Sequence, residues 1–259
     1  RTVVWAGRIV LFIVLVAAWE LMSGTVINQF WISKPSLILN RLYKLVSSGD
    51  LWYHLSATLQ ESLSGLVIGM VVGTLLGVLV ANSGIIDRWI SPFIIAVYSL
   101  PKVSLAPLFI VWFGIGDEGK IFLVALGVLF PIYLNTLHGI RSVDPGLIEM
   151  GRVYGLGRGA LYRKVILPGA MPSILVGLRY ALGIMWLTLI VAETISSKDG
   201  IGYMAMNARE FFQLDVVVLC ILLYALLGKV SDLMAKGLER SWLKWHPHFG
   251  KPRANPPAA

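Results

Sequence analysis

At 259 residues, with 57% hydrophobic and only 14% charged residues and a mean hydropathy of +0.76, the chain carries more apolar surface than a soluble domain of this size can bury, which excludes a water-soluble fold. The net charge of +8 does not point to nucleic acid, because the basic residues stand at the ends of apolar runs rather than on one aromatic-studded patch. The single cysteine, Cys220, lies in an apolar run; it excludes a disulfide framework and an all-cysteine metal site, and a small buried apolar residue is expected there.

Val3 to Met22 is apolar apart from Arg8 and Glu20 and is long enough to span a bilayer. The sequence begins at Arg1 rather than methionine, which leaves residues ahead of it open, and this first segment can direct insertion by itself. From Pro35, the apolar residues Leu37, Ile38, Leu42, Leu45 and Val46 recur at helical spacing among Asn40, Arg41 and Lys44, the pattern of a helix lying along the membrane surface. Ser62 to Ile86 is uncharged and forms the clearest span. Gly65, Gly69, Gly73 and Gly77 recur along it every fourth residue and put a small-residue packing face on one stripe, directed within the subunit or between subunits.

Trp89 to Gly116 is apolar except for Lys102 but is interrupted by Pro92, Pro101 and Pro107, so a broken span is expected. Ile121 to Ile140 follows after the short connection GIGDEGK, giving a tight antiparallel pair. Met171 to Ile195 is span five, with Arg179 and Glu193 about 21 Å apart along the helix, too far for a salt bridge. Val216 to Gly228 is the heart of span six, followed by Lys229 and Asp232, which can snorkel toward the headgroups. The sequence thus predicts an all-α membrane protein of about six transmembrane helices. Its parts are an N-terminal span (1–27), an outer interfacial segment (28–56), a core of five spans (57–240) and a basic, proline-rich tail (241–259).

Six spans place both termini on one side. With the termini inside, the inner segments hold 13 Lys and Arg and the outer segments 6, so the positive-inside rule puts the hydrophilic stretch Val143 to Pro168 in the cytoplasm.

Several motifs fail on inspection. Gly114 to Lys120 has the spacing of a phosphate loop, but Ile121 stands where Ser or Thr would hold magnesium, and no strand precedes it; the same holds for its G-x-G-x-x-G reading. Gly114 to Asp117 also fits the G-x-G-D of intramembrane aspartyl proteases, a remote alternative that needs a second carboxylate beside Asp117. The acids inside apolar runs, Glu20 and Glu193, lie near span ends and in no matching motif. His246 and His248 have no third ligand in view, and no catalytic constellation or metal site emerges.

The cytoplasmic stretch reads VDPGLIEMGRVYGLGRGALYRKVILP. Asp144-Pro145 is a helix start, Gly155 a helix end, and a second short helix from Gly157 to Val165 is expected to stop before Leu167-Pro168. Two short helices here make a knob whose apolar face needs a partner. Glu149-Met150-Gly151, three residues, Gly155, nine residues, then Val165-Ile166-Leu167-Pro168 resembles the E-A-A, three, G, nine, I-x-L-P signature of permease subunits of ATP-binding-cassette importers. Met150 and Gly151 replace the two alanines and Val165 the isoleucine; Gly151 costs about 1 kcal/mol of helix propensity against alanine.

The resemblance extends through PKVSLAPLFIVWFGIG and GLRYALGIMWLTLIVAETISSKDGIGYMAMNAREFFQLDVV, which are similar to the nitrate, sulfonate, taurine and bicarbonate branch and most of all to aliphatic sulfonate permeases. It implies the type I importer permease fold in a bacterial inner membrane. Glu149, Met150, Gly151, Gly155, Val165, Leu167 and Pro168 are then the coupling segment that docks on a cytoplasmic ATPase subunit. It also implies a second permease copy, in a homodimer, and a periplasmic or lipid-anchored binding protein. This chain would bind no cofactor, and ATP and magnesium would sit on the ATPase. For an anion path the candidates are Lys102, either a charge at depth that contacts the anion or a lysine snorkelling near the outer interface, with Tyr98, Ser99, Asn135, Trp186 and Thr188 as polar or amphipathic neighbours, and Arg179, either an inner gate or a headgroup contact. Glu193 would repel an anion and is read as a structural partner at the outer end.

Overall fold

The computed structural model describes residues 2–25, 33–114 and 116–245. His246, His248 and the rest of the tail, the start of the interfacial segment and Ile115 of the GIGDEGK loop lie outside them. All the regular elements among the described residues are helices. In chain order α1 is Thr2–Met22, α2 Pro35–Ser48, α3 Asp50–Asn82, α4 Gly84–Tyr98, α5 Ala106–Phe113, α6 Asp117–Arg141, α7 Pro145–Val153 and α8 Arg158–Leu161. They are followed by α9 Leu167–Ser196, α10 Ile201–Glu210 and α11 Leu214–Trp242.

Four stretches among the described residues are long and apolar enough to cross a membrane: α3, α6, the run from Arg158 through Ile195, and α11. The shorter apolar run Val10–Met22 in α1 and the pair α4–α5 supply the other two predicted segments. That pair is broken as the prolines require. Pro92 lies inside α4, Pro101 follows it, a 3-10 turn covers Lys102–Leu105, and Pro107 occupies the first turn of α5, where its missing N–H is harmless.

Two predicted boundaries move. The uncharged run Ser62 to Ile86 is not one helix, because α3 already starts at Asp50 and ends at Asn82, so the edge drawn between 56 and 57 falls inside it. The extended Ser83 stops α3, and its hydroxyl accepts from the Ile86 N–H to cap α4, a local bond that competes with helix continuation. At the other end, Gly49 at φ +86° separates α2 from α3.

α6 forms the centre, packed against α3 on one side and α9 on the other. The glycine stripe makes the first contact. A Cβ on Gly65 would come 2.5 Å from Val124 Cγ1, on Gly69 2.6 Å from the Ala125 carbonyl, on Gly73 2.7 Å from the Leu129 carbonyl, and on Gly77 2.8 Å from Thr136 Cβ. The stripe therefore lets two backbones of this subunit touch, where dispersion replaces the hydrophobic drive that lipid removes. Gly177 of α9 repeats the device against Asn135 of α6. Val124, Val128, Ile132, Leu175, Met185 and Leu189 fill the shared core.

Candidate functional site

The knob follows α6 directly. The Asp144 side chain accepts from the Gly146 N–H at 2.8 Å and Pro145 opens α7, as the Asp-Pro pair predicts. α7 closes in a Schellman-type turn. The Leu156 N–H reaches the Gly151 carbonyl at 3.0 Å, with Gly155 at φ +76° supplying the left-handed residue. Gly151 is explained by packing rather than propensity, since a Cβ there would meet Leu161 Cδ1 at 2.6 Å.

The second helix does not stop before Leu167-Pro168. α8 passes through a π-helical turn, Tyr162–Ile166, straight into α9, so the chain is helical from Arg158 to Ser196. Pro168, in the first turn of α9, lacks only a donor that the widened π turn leaves without its usual role. The outer face of the knob is apolar and open. Val153 is 86% and Tyr154 79% exposed, Met150 and Leu147 about half. With Val165 and Trp245, the last three line a cleft of about 580 Å³. Glu149 is exposed, and its side chain makes no hydrogen bond or ion pair among the described residues.

The seven path candidates separate into three places. Lys102 Nζ stands 4.5 Å from the Tyr98 ring centre and 4.7 Å from that of Phe130 and donates to the Tyr98 carbonyl at 3.3 Å. Phe130 is thirteen residues from Asp117 and eleven from Arg141, about 20 and 16 Å along α6, so the ammonium lies beside the middle of that helix. No carboxylate among the described residues lies within salt-bridge distance of it. Ser99 is exposed nearby and donates to the Ile95 carbonyl.

Asn135 and Thr188 lie instead in the α6–α9 seam. Asn135 donates to the Pro131 carbonyl at 2.8 Å, and Thr188, 3% exposed, faces Gly127; packing places them there, apart from Lys102. Arg179 and Trp186 line a third place, a cleft of about 460 Å³ between α9 and α11. There Arg179 Nε donates to Asp232 Oδ1 at 2.9 Å and Trp186 Nε1 to Ser231 Oγ at 3.0 Å. Asp232 also accepts from Lys236 at 2.7 Å, so it is held in place rather than left to snorkel.

The sequence reading missed a buried polar lock at the opposite end from the knob. Lys120, 2% exposed, donates to Glu61 of α3, also 2% exposed, and to Ser197 at 2.8 Å, and pairs with Asp117 and Asp199 at 2.9 and 3.3 Å. Beside it Glu193, 1% exposed, accepts from Thr58 at 2.7 Å, from Tyr224 at 2.6 Å and from the Gly202 N–H, tying α9 to α3, α11 and α10. Glu193 is thus the structural partner expected. Asp117 does have carboxylate neighbours, since oxygens of Glu61, Asp117 and Asp199 lie within 4.8 Å of one another, but the Lys120 ammonium binds all three. Lys120 itself supplies the cation such a group of acids attracts, so the cluster is an ion-pair network and not the bare carboxylate pair of an aspartyl protease. The missed signal was that Glu61 and Lys120 each border an uncharged run of span length.

Near the knob, Arg141 Nη2 donates to Asp87 Oδ2 at 2.7 Å, two residues ahead of the apolar run that begins at Trp89. Bonds from the Ser91 hydroxyl and from Arg141 hold the Asp87 carboxyl below the usual aspartate range.

Comparison with known proteins agrees with this arrangement. The chain is 52% identical over 240 residues, 91% of this chain and 90% of the relative, to the aliphatic sulfonates transport permease protein SsuC of Escherichia coli. It is 38% identical to SsuC of Bacillus subtilis (93% and 88% covered) and 31% identical to the taurine transport system permease protein TauC of Escherichia coli (91% and 88%). The fold matches a chain of an amino acid ABC transporter crystallised with histidines, with a TM-score of 0.63 at 19% identity over 79% of this chain and 97% of that one. Residues 65–244 match the family described as binding-protein-dependent transport system inner membrane component, and the chain belongs to that family.

Proposed function

We propose that this chain forms the anion path of an ATP-driven importer of aliphatic sulfonates, in a homodimer with both termini and the knob in the cytoplasm. ATPase subunits, carrying ATP and magnesium, would dock on the apolar face formed by Met150, Val153 and Tyr154, and a periplasmic or lipid-anchored binding protein would deliver the substrate. The positive-inside count supports this orientation. Sulfonates are favoured over taurine, nitrate and bicarbonate because the identity to relatives named for sulfonates exceeds that to the one named for taurine.

The observation that carries the anion reading is Lys102. A lysine beside the middle of α6, stacked on two aromatic rings and lacking a carboxylate partner among the described residues, leaves a positive charge for a passing anion. The unbroken helix from Arg158 to Ser196 gives the coupling a lever. Movement of the knob by the ATPases is transmitted along α9 to the buried lock at its far end, and rigid helices convert it into outward opening.

The test is ATPase activity and uptake by the complete transporter in liposomes. Lys102→Met is expected to lower uptake of every transported anion at least about tenfold while the ATPase still co-purifies. Full uptake by that variant would remove Lys102 from the path, and a wild-type complex without sulfonate-stimulated ATPase activity would refute the substrate.

A further inference from the structure

We propose that the cleft between α9 and α11 is a binding site inside the permease for the transported sulfonate, with its anionic head on Arg179 and its aliphatic tail between Gly183 and Gly228. This rests on the sulfonate reading above and goes beyond it by assigning the site.

The head position follows from unused donors. Arg179 spends only Nε on Asp232, and its four other N–H groups have no hydrogen-bond partner among the described residues. The guanidinium fork matches the oxygens of a tetrahedral or planar oxyanion. Ser231 accepts from Trp186, which leaves the serine hydrogen to be donated. Asp232 is shared by Arg179 and Lys236, so this end of the cleft keeps one positive charge in excess. Glu239, which also lines the cleft, lies seven residues further along α11, about 10 Å away. Its carboxylate repels an anion from that end and directs the tail the other way, toward Gly228.

The tail position follows from the two glycines. At Gly65, Gly69, Gly73 and Gly77 a Cβ would strike the neighbouring helix, so packing demands glycine. At Gly183 and Gly228 a Cβ would meet no atom within 4 Å, and both residues line the cleft. Packing within this chain does not require glycine at either position. Together they leave open volume beside Leu182 and the Trp186 ring, an apolar slot that continues from the Arg179 head site and suits an alkyl chain.

Because a Cβ at either position meets no atom of this chain, a side chain can be added there and directed into the cleft. The complete transporter, with saturating binding protein, is reconstituted in liposomes, and uptake of hexanesulfonate is compared with that of methanesulfonate. Gly228→Leu, and separately Gly183→Leu, should lower the hexanesulfonate to methanesulfonate ratio about tenfold or more, with co-purification of the ATPase confirming assembly. An unchanged ratio in both assembled variants overturns the site while leaving the sulfonate reading intact. If the wild type carries neither sulfonate, the substrate reading itself fails, and the assignment of the site with it. A third outcome, in which the variants change only the dependence of ATPase activity on the anionic lipid fraction, identifies a lipid headgroup as the occupant and also overturns the proposal.

Discussion

The two ends of the helix bundle treat polar and apolar groups in opposite ways. At the end bearing Lys120, three charged side chains, Glu61, Lys120 and Glu193, are at most 2% exposed, and their bonds run between α3, α6, α9, α10, α11 and the loop after α9. At the knob end the charged pairs, such as Arg141 with Asp87, are partly exposed, and the largest apolar groups stand open. The first end is closed by elements of this chain, and the second presents an open apolar face, proposed above as the ATPase dock. Since the helix that contains α9 reaches both, it joins the closed end to the end proposed to be driven, with the Arg179 cleft between them.

The largest expected effect breaks the fixed end. Lys120→Met leaves Glu61 buried without its cation, a loss of about 3–5 kcal/mol by analogy with other broken buried pairs. Unfolding of the purified permease in detergent should show it as a large drop in the thermal midpoint. The double variant Lys120→Met/Glu61→Gln removes both charges and should recover much of the loss. If the single variant unfolds like the wild type, the lock is not what holds this end together.

That lock was the least legible part of the chain. Glu61 and Lys120 sit at the borders of uncharged runs, where a charge ordinarily meets headgroups, and only the close approach of α3 to α6 brings them together. The approach itself is legible, because glycine every fourth residue has a direct physical meaning in lipid, although the sequence leaves open whether it lies within the subunit or between subunits. The knob was legible for a similar reason. Asp144, Pro145 and Gly155 act on their own backbone, so no tertiary information is needed to read them. Where tertiary packing decides, the reading failed. The run into α9 continues through Leu167-Pro168, and the path candidates scatter because helical neighbours in sequence face different partners.

At the driven end a change should move association and leave folding alone. Met150, half exposed on the knob beside Val153 and Tyr154, is in the proposed reading an anchor for the ATPase. Met150→Asp should weaken ATPase binding by about 2 kcal/mol, roughly thirtyfold, measured by titrating the ATPase onto the permease in detergent. The thermal midpoint of the permease alone should stay close to the wild-type value. A destabilised permease with undiminished ATPase binding would mean that the face is packed rather than offered, and the contrast between the two ends would fail.

The smallest effect concerns the ion pair that joins α4 to the helix leading into the knob. The folded protein holds the Asp87 carboxyl below its ordinary value through Ser91 and Arg141, so folding favours the ionised form. The resulting stabilisation is complete above the ordinary aspartate value of about 4 and is lost as pH falls through the lower folded value. Asp87→Asn should therefore lower the thermal midpoint slightly at pH 7, and the gap between variant and wild type should close as the pH drops below about 4. A gap that persists in acid would assign the effect to the shape of the Ser91 contact rather than to charge. Because Arg141 lies three residues ahead of Asp144, the same variant should also loosen the knob, measured as faster amide exchange across α7. Unchanged exchange there would separate the knob from α4 and leave α9 as the route by which this end drives the other.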